Sequence, residues 1–101
     1  MPAKLSPVPP GEILLEEFLK PLGLSQNRLA RELRIPPGRV NDIIHGRRSV
    51  TADSAARLAV FFGTSPDFWL NLQARYDAKL AHHQLVPAFA KRITPHGASA
   101  A

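Results

Sequence analysis

The sequence contains no cysteine, which excludes disulfide bonds and thiolate metal sites. It also has no apolar run near the ~18 residues that a membrane span requires, and its N-terminus is too rich in proline for the apolar region of a secretion signal. Acidic residues are few: eight Asp and Glu stand against 13 Lys and Arg, for a formal net charge of +5. These features predict a cytoplasmic protein with no membrane partner and favour an anionic one.

Residues that could carry catalysis or bind a metal form no recognisable set. The carboxylates are scattered over predicted helix surfaces, without a glycine-rich phosphate loop or a nucleophile beside a base. His82 and His83 are adjacent and therefore diverge on a helix, while His45 is distant from both in sequence. We expect no enzyme activity, no cofactor and no metal site.

The 101 residues suit one all-α domain with a modest core. Capping residues precede helical apolar patterns at Ser25, Thr51 and Ser65, and strand-like alternation is absent. We predict a compact five-helix bundle from about residue 10 to residue 80, within a domain that spans 10–83. A proline-rich N-terminal arm occupies residues 1–9. Residues 84–101 form a flexible or irregular C-terminal tail, in which Val86 and Pro87 interrupt the helix and the middle is either a short helix or an edge strand.

Residues 25–48 are predicted to form two short helices joined by a tight turn. Ser25 caps the first, and the residue before Pro36 is pushed out of the α region. Pro37 suits the first position of the second helix, and Gly46 suits a left-handed turn at its end. Seven arginines stand against three acids between residues 25 and 57.

The second of these helices has two unlike faces. Val40, Ile43 and Ile44 form an apolar stripe, while small and hydrogen-bonding side chains lie opposite at ~100° per residue. That opposite face suits base edges in a major groove; it consists of Gly38, Asn41, Asp42 and His45. The alternative is an ordinary amphipathic hairpin with a solvated polar face.

Several side chains are candidates for DNA contact. Arg39, in the first helical turn, suits a bidentate contact with guanine, or else an i, i+3 salt bridge with Asp42. Asn41 suits adenine or a phosphate, or is merely solvated. Arg47 and Arg48 are expected to bind phosphates, with a solvated loop as the alternative.

An aromatic-rich stretch later in the chain has a different expected role. Trp69 looks functional, but the helical spacing of its apolar neighbours favours core or dimer interface over an exposed partner surface. The residues assigned to core or dimer contacts are Phe68, Trp69, Leu72 and Tyr76.

The order of these motifs resembles HigA-type antitoxins, also described as VapI-like, a branch of the Xre/Cro family with a lambda-repressor-like helix-turn-helix domain. The Leu-Ala pair at 29–30 and Gly-Arg-Arg at 46–48 are common among Xre proteins. More specific is Pro-Gly-Glu-Ile at 10–13 combined with Phe-Trp-Leu-Asn-Leu-Gln at 68–73. Other matching stretches are 17–19, 22–26, 39–43, 51–52, 57–59 and 62–65.

The resemblance implies a homodimer that represses its own operon at a palindromic operator and neutralises a HigB-like ribonuclease toxin. It also implies that the third helix enters the major groove. Carried over by position, Gln26 and Arg28 contact phosphates or the groove edge. The third-helix face consists of Pro37, Gly38, Arg39, Asn41 and Asp42. The alternatives are a protein whose main work is toxin sequestration and a stand-alone Xre-family regulator without a toxin.

Overall fold

The computed structural model describes residues 7–97. Five helical runs account for most of this range. Helix α1 covers residues 10–22 as Pro10–Ile13, a π-helical segment Leu14–Leu19 and Lys20–Leu22; α2 is Gln26–Leu33, α3 is Pro37–Ile44 and α4 is Ala52–Phe62. Helix α5 covers residues 66–90 as Pro66–Leu80, a π-helical segment Ala81–Leu85 and Val86–Ala90. No strand occurs between residues 7 and 97, so the predicted all-α, five-helix fold is confirmed.

Local signals in the sequence place the helix ends. The hydroxyl of Ser25 accepts the N–H of Arg28 at 3.0 Å. Thr51 and Ser65 cap α4 and α5 in the same way, satisfying backbone donors that have no partner within the helix. Gly46, with φ +76°, turns the chain after α3. These expected caps and turns are therefore confirmed.

Both long helices contain a π-helical segment that ends two residues before an internal proline, Pro21 or Pro87. In an α-helix the ring of proline clashes with the carbonyl four residues earlier. In a π turn the N–H bonds five residues back, as the N–H of Val86 does to Ala81, and the wider turn gives the ring room.

The C-terminal prediction is therefore wrong on one point: Val86 and Pro87 do not interrupt α5, which continues to Ala90. The short-helix alternative holds for Val86–Ala90, and the edge strand does not. The functional boundary between residues 83 and 84 stays a prediction. Of the predicted N-terminal arm, residues 7–9 are non-helical, and residues 1–6 lie outside the described part.

The core lies where α1 to α5 converge. Its buried members are Leu14, Leu19, Leu29, Ala30, Leu33, Ile35, Val40, Ile43, Ile44, Val50, Ala55, Leu58, Ala59 and Trp69. The Trp69 ring packs against Phe18 and Phe68, with ring centroids 4.9 Å apart in each pair, and its indole N–H donates to Thr64 at 2.8 Å. Such aromatic pairs contribute about 0.5–1.5 kcal/mol each beyond the area that they bury.

Helix α1 contacts α3 backbone to backbone at Gly11. A Cβ built on Gly11 would lie 2.0 Å from the carbonyl oxygen of Ile43 and 2.5 Å from the Cα of Ile44. Only a residue without a side chain permits this approach. The close contact places the C-terminal end of α3 against the first turn of α1.

Gly11→Ala is therefore expected to destabilise the fold by about 1–3 kcal/mol or more, because the new methyl group meets backbone that cannot rotate away. Urea unfolding followed by fluorescence of the single tryptophan measures the effect. Gly38→Ala is the matched control: nothing lies within 4 Å of its built Cβ, so alanine there should be neutral or stabilise by up to about 1 kcal/mol. Equal unfolding midpoints for the two variants would contradict the close contact.

Candidate nucleic-acid interface

Helix α3 is anchored by its apolar stripe, which leaves the opposite side at the surface. Val40, Ile43 and Ile44 are 1%, 4% and 6% exposed. Pro37, Gly38 and His45 are exposed, and Asn41 and Asp42 are half-buried. The two predicted faces of α3 are present, and we call Gly38, Asn41, Asp42 and His45 the outer face.

Four polar side chains near this face form one hydrogen-bonded network, which we call the amide–guanidinium network: Gln26, Asn41, Asp42 and Arg47. The Asn41 amide nitrogen donates to Oε1 of Gln26 at 3.1 Å, joining α2 to α3. The Arg47 guanidinium donates from Nη2 to Oδ1 of Asn41 at 2.7 Å and from Nε to Asp42 at 3.1 Å. Arg47 therefore orients α3 side chains, a role that its sequence position did not indicate.

Arg39 turns toward α4. Its Nη2 donates to Oδ2 of Asp53 and to the buried hydroxyl of Ser54, the latter at 2.9 Å. The alternative partner that the sequence suggested for Arg39 is wrong, because Asp42 pairs with Arg47 instead. The Arg39 side chain keeps 24% of its surface exposed, so it is braced by α4 yet still reaches solvent.

Asp53 binds two arginines at once. Arg57, one helical turn later, donates from Nε to the same Oδ2 oxygen at 2.9 Å. The hydrogen bonds from Arg57 and then from Arg39 lower the pKa of the Asp53 carboxyl below its ordinary value. Arg57 also donates to the carbonyl oxygen of Leu33 at 2.8 Å, which satisfies a free carbonyl at the end of α2. The pair of arginines thus fastens α4 to both helices of the hairpin.

The remaining basic candidates differ in how firmly they are held. Arg28 is exposed and pairs with Glu32 at 2.9 Å. His45 ends α3, with Nδ1 2.9 Å from the carbonyl oxygen of Asn41. Arg48 is exposed and makes no side-chain hydrogen bond or ion pair with the residues from 7 to 97. Arg48 is thus a cation available to a phosphate.

The four residues expected in the core or a dimer interface divide by burial. Trp69 is fully buried, and Leu72 packs against the core. Phe68 is 38% exposed at the edge of the aromatic cluster, and Tyr76 is half-buried. Trp69 is a core residue of the protomer, which leaves Phe68, Tyr76 and the partly buried Leu72 as the members that a partner could reach.

Four side chains that position the site were not predicted from the sequence to do so: Asp53, Ser54, Arg57 and Gln73. The i, i+4 spacing of Asp53 and Arg57 was a visible signal of an ion pair. The contact between Arg39 and Asp53 joins separate helices, so no local sequence pattern predicts it. Gln73 is 8% exposed and accepts the N–H of Val50 at 2.7 Å, which fixes the loop after α3 to α5.

The described residues contain neither a cluster that could bind a metal nor a helix that could span a membrane. Between residues 7 and 97, no group of three or more His, Cys, Asp or Glu side chains is arranged to hold a metal ion. None of the helices in that range combines the length and the apolar composition needed to cross a bilayer.

The chain is similar to known helix-turn-helix proteins. The helix-turn-helix family profile matches residues 15–69. Virulence-associated protein I of Dichelobacter nodosus is 51% identical over 72 residues, which cover 71% of this chain and 67% of that protein.

Two solved structures are similar over 88% of this chain and 97% of their own. One is an addiction module antidote protein of a HigA family from Coxiella burnetii, with 52% identity and a TM-score of 0.78. The other is the Pseudomonas aeruginosa antitoxin HigA with the higBA promoter, with 40% identity and a TM-score of 0.80. Both likenesses extend well beyond the hairpin to the whole bundle.

The Asp53 contacts predict a pH-dependent contribution to stability. A carboxylate whose folded pKa lies below its unfolded value of about 3.9 stabilises the fold above that pH, and the contribution is lost as the pH falls through the folded pKa. Asp53→Asn should therefore lower the urea midpoint at pH 7, and the difference from wild type should shrink below about pH 4. Asp67→Asn, an exposed acid on α5, controls for loss of one surface charge. A deficit in Asp53→Asn that is equal at pH 7 and pH 3 would contradict the assignment.

Proposed function

Because the chain belongs to the helix-turn-helix family and to its HigA-type antitoxins, we propose that it binds its own operator DNA through the outer face of α3 and so represses its operon. The observation that carries this proposal is the orientation of α3. Three aliphatic side chains bury one side of the helix, and the other side offers hydrogen-bonding groups flanked by arginines. A buried polar face would have left no element to enter a groove.

Each flanking residue has a proposed part in DNA binding. Arg39, braced by Asp53, reads guanine from the first turn of α3. Arg28 and Arg48 bind phosphates and position the helix without reading sequence. Nothing lies within 4 Å of a Cβ built on Gly38, so the DNA backbone or a base edge can approach α3 closely at that point.

The proposed binding unit is a homodimer. Two copies would place their α3 helices in successive major grooves about 34–36 Å apart, on a near-palindromic site. Phe68, Leu72 and Tyr76 remain proposed dimer contacts. The protein acts by binding rather than by catalysis, and we place it in the cytoplasm with its operator.

The second part of the proposal is neutralisation of a HigB-like ribonuclease toxin. The support is likeness over the whole bundle to a HigA antitoxin solved with the higBA promoter, a promoter whose name pairs HigA with HigB. A stand-alone Xre-family regulator is the alternative. An antitoxin would bind a small basic ribonuclease-like protein encoded by an adjacent reading frame, whereas a stand-alone regulator would have no such partner.

Two arginine variants separate base reading from phosphate binding. Arg39→Ala should weaken binding to the operator by about 1–3 kcal/mol and to scrambled DNA by much less. Arg48→Ala should weaken both alike and reduce the salt slope by about 1. Fluorescence anisotropy at several salt concentrations measures both. The stability of each variant is measured by urea unfolding as a control, because Arg39 also contacts α4 and its loss could destabilise the fold. Equal losses on the two DNAs for Arg39→Ala, in a folded variant, would remove the base-reading role.

The partner is tested by co-expressing the product of the adjacent reading frame with the full chain. We expect the two to co-purify, the growth arrest caused by the neighbour to be relieved, and Arg48→Ala to retain both effects because its change lies on the DNA side. A neighbour that neither binds nor arrests growth would favour the stand-alone regulator.

A further inference from the structure

We propose that the amide–guanidinium network selects guanine rather than adenine at the base pair facing Gln26 and Asn41, and that Arg47 sets this preference. This inference rests on the proposed function, since it assumes that α3 enters a major groove. It assigns to Arg47 a part in specificity beyond phosphate binding.

Arg47 determines which way the Asn41 amide faces. A guanidinium has only N–H donors and no acceptor. The Asn41 atom 2.7 Å from Nη2 of Arg47 must therefore be the oxygen, because a nitrogen there would set two donors against each other. The second bond of Arg47, to Asp42 at 3.1 Å, holds the guanidinium in place.

The orientation of Asn41 in turn fixes Gln26. With its oxygen toward Arg47, Asn41 points its nitrogen at Gln26, and the Gln26 atom 3.1 Å away must be an oxygen. Each amide oxygen thus already accepts one bond from within the network. The hydrogens still to be donated are two on Nε2 of Gln26 and one on Nδ2 of Asn41.

The free donor hydrogens of this network match guanine better than adenine. Guanine presents two adjacent acceptors, O6 and N7, to the major groove, whereas adenine presents a donor at N6 beside the acceptor at N7. Three donor hydrogens beside a guanidinium complement two acceptors. A bidentate contact with adenine would need an amide oxygen directed at the base. The geometry therefore points away from the adenine contact that the identity of Asn41 alone suggested.

The experiment is selection of binding sites from randomised duplexes by the purified full chain, followed by affinity measurements on the selected operator. Comparison with Gln26→Ala and Asn41→Ala identifies the base pair that these residues read, because both variants should lose the sequence preference there. We expect guanine at that pair, and replacing it with adenine should lower the affinity about 10-fold. Inosine at that position keeps O6 and N7 and should bind like guanine; 7-deazaguanine lacks N7 and should bind less tightly.

Arg47→Met tests the orienting role, because it keeps an unbranched apolar stem and removes the donors of the guanidinium. Its ratio of guanine to adenine affinity should fall toward one, as the Asn41 amide becomes free to turn. Arg48→Met loses the same charge one residue later and should lower affinity with the ratio unchanged. Arg47→Lys keeps a donor-only cation and should retain part of the preference.

Selection of adenine at that pair, or an unchanged ratio in Arg47→Met, would overturn this inference while leaving operator binding intact. If the chain selected no sequence at all, the proposed function itself would fail.

Discussion

The contact between Gly11 and the backbone of Ile43 and Ile44 constrains the rest of the structure. It brings α1 and α3 closer together than side chains would allow. The stripe of α3 then completes a core shared with α2 and α4. With α3 held in this way, its outer face is presented without a change of fold. A surface that is already ordered loses little conformational entropy when it binds DNA.

Arginines around α3 show how little residue type alone reveals about role. Arg39 is bound to α4 by Asp53 and Ser54, Arg47 organises the amides of α2 and α3, and Arg48 lies exposed beside them. All three contribute the same charge to the basic region. Because their surroundings differ, we propose a different role for each: base contact for Arg39, orientation of other side chains for Arg47, and phosphate binding for Arg48.

The sequence predicted the helices, their caps and the two faces of α3, because these depend on neighbours within a few residues. Ser25, Thr51 and Ser65 each cap the helix that follows, and Val40, Ile43 and Ile44 are buried together. It did not predict that Arg39 pairs with Asp53, since that contact spans 14 residues and depends on the angle between helices. Nor did it predict that α5 passes through Pro87, because a proline was expected to break an α-helix, whereas the chain forms a π turn before it.

In the proposed function, the outer face of α3 is the surface that meets duplex DNA. Titration of the isotope-labelled full chain with a duplex from its own promoter, followed by backbone amide NMR, tests it directly. If that face meets the DNA, the largest shift changes should occur at residue 26 and across residues 38–48, with smaller changes along the far end of α5. Saturating binding with α3 unperturbed and the changes concentrated elsewhere would contradict it.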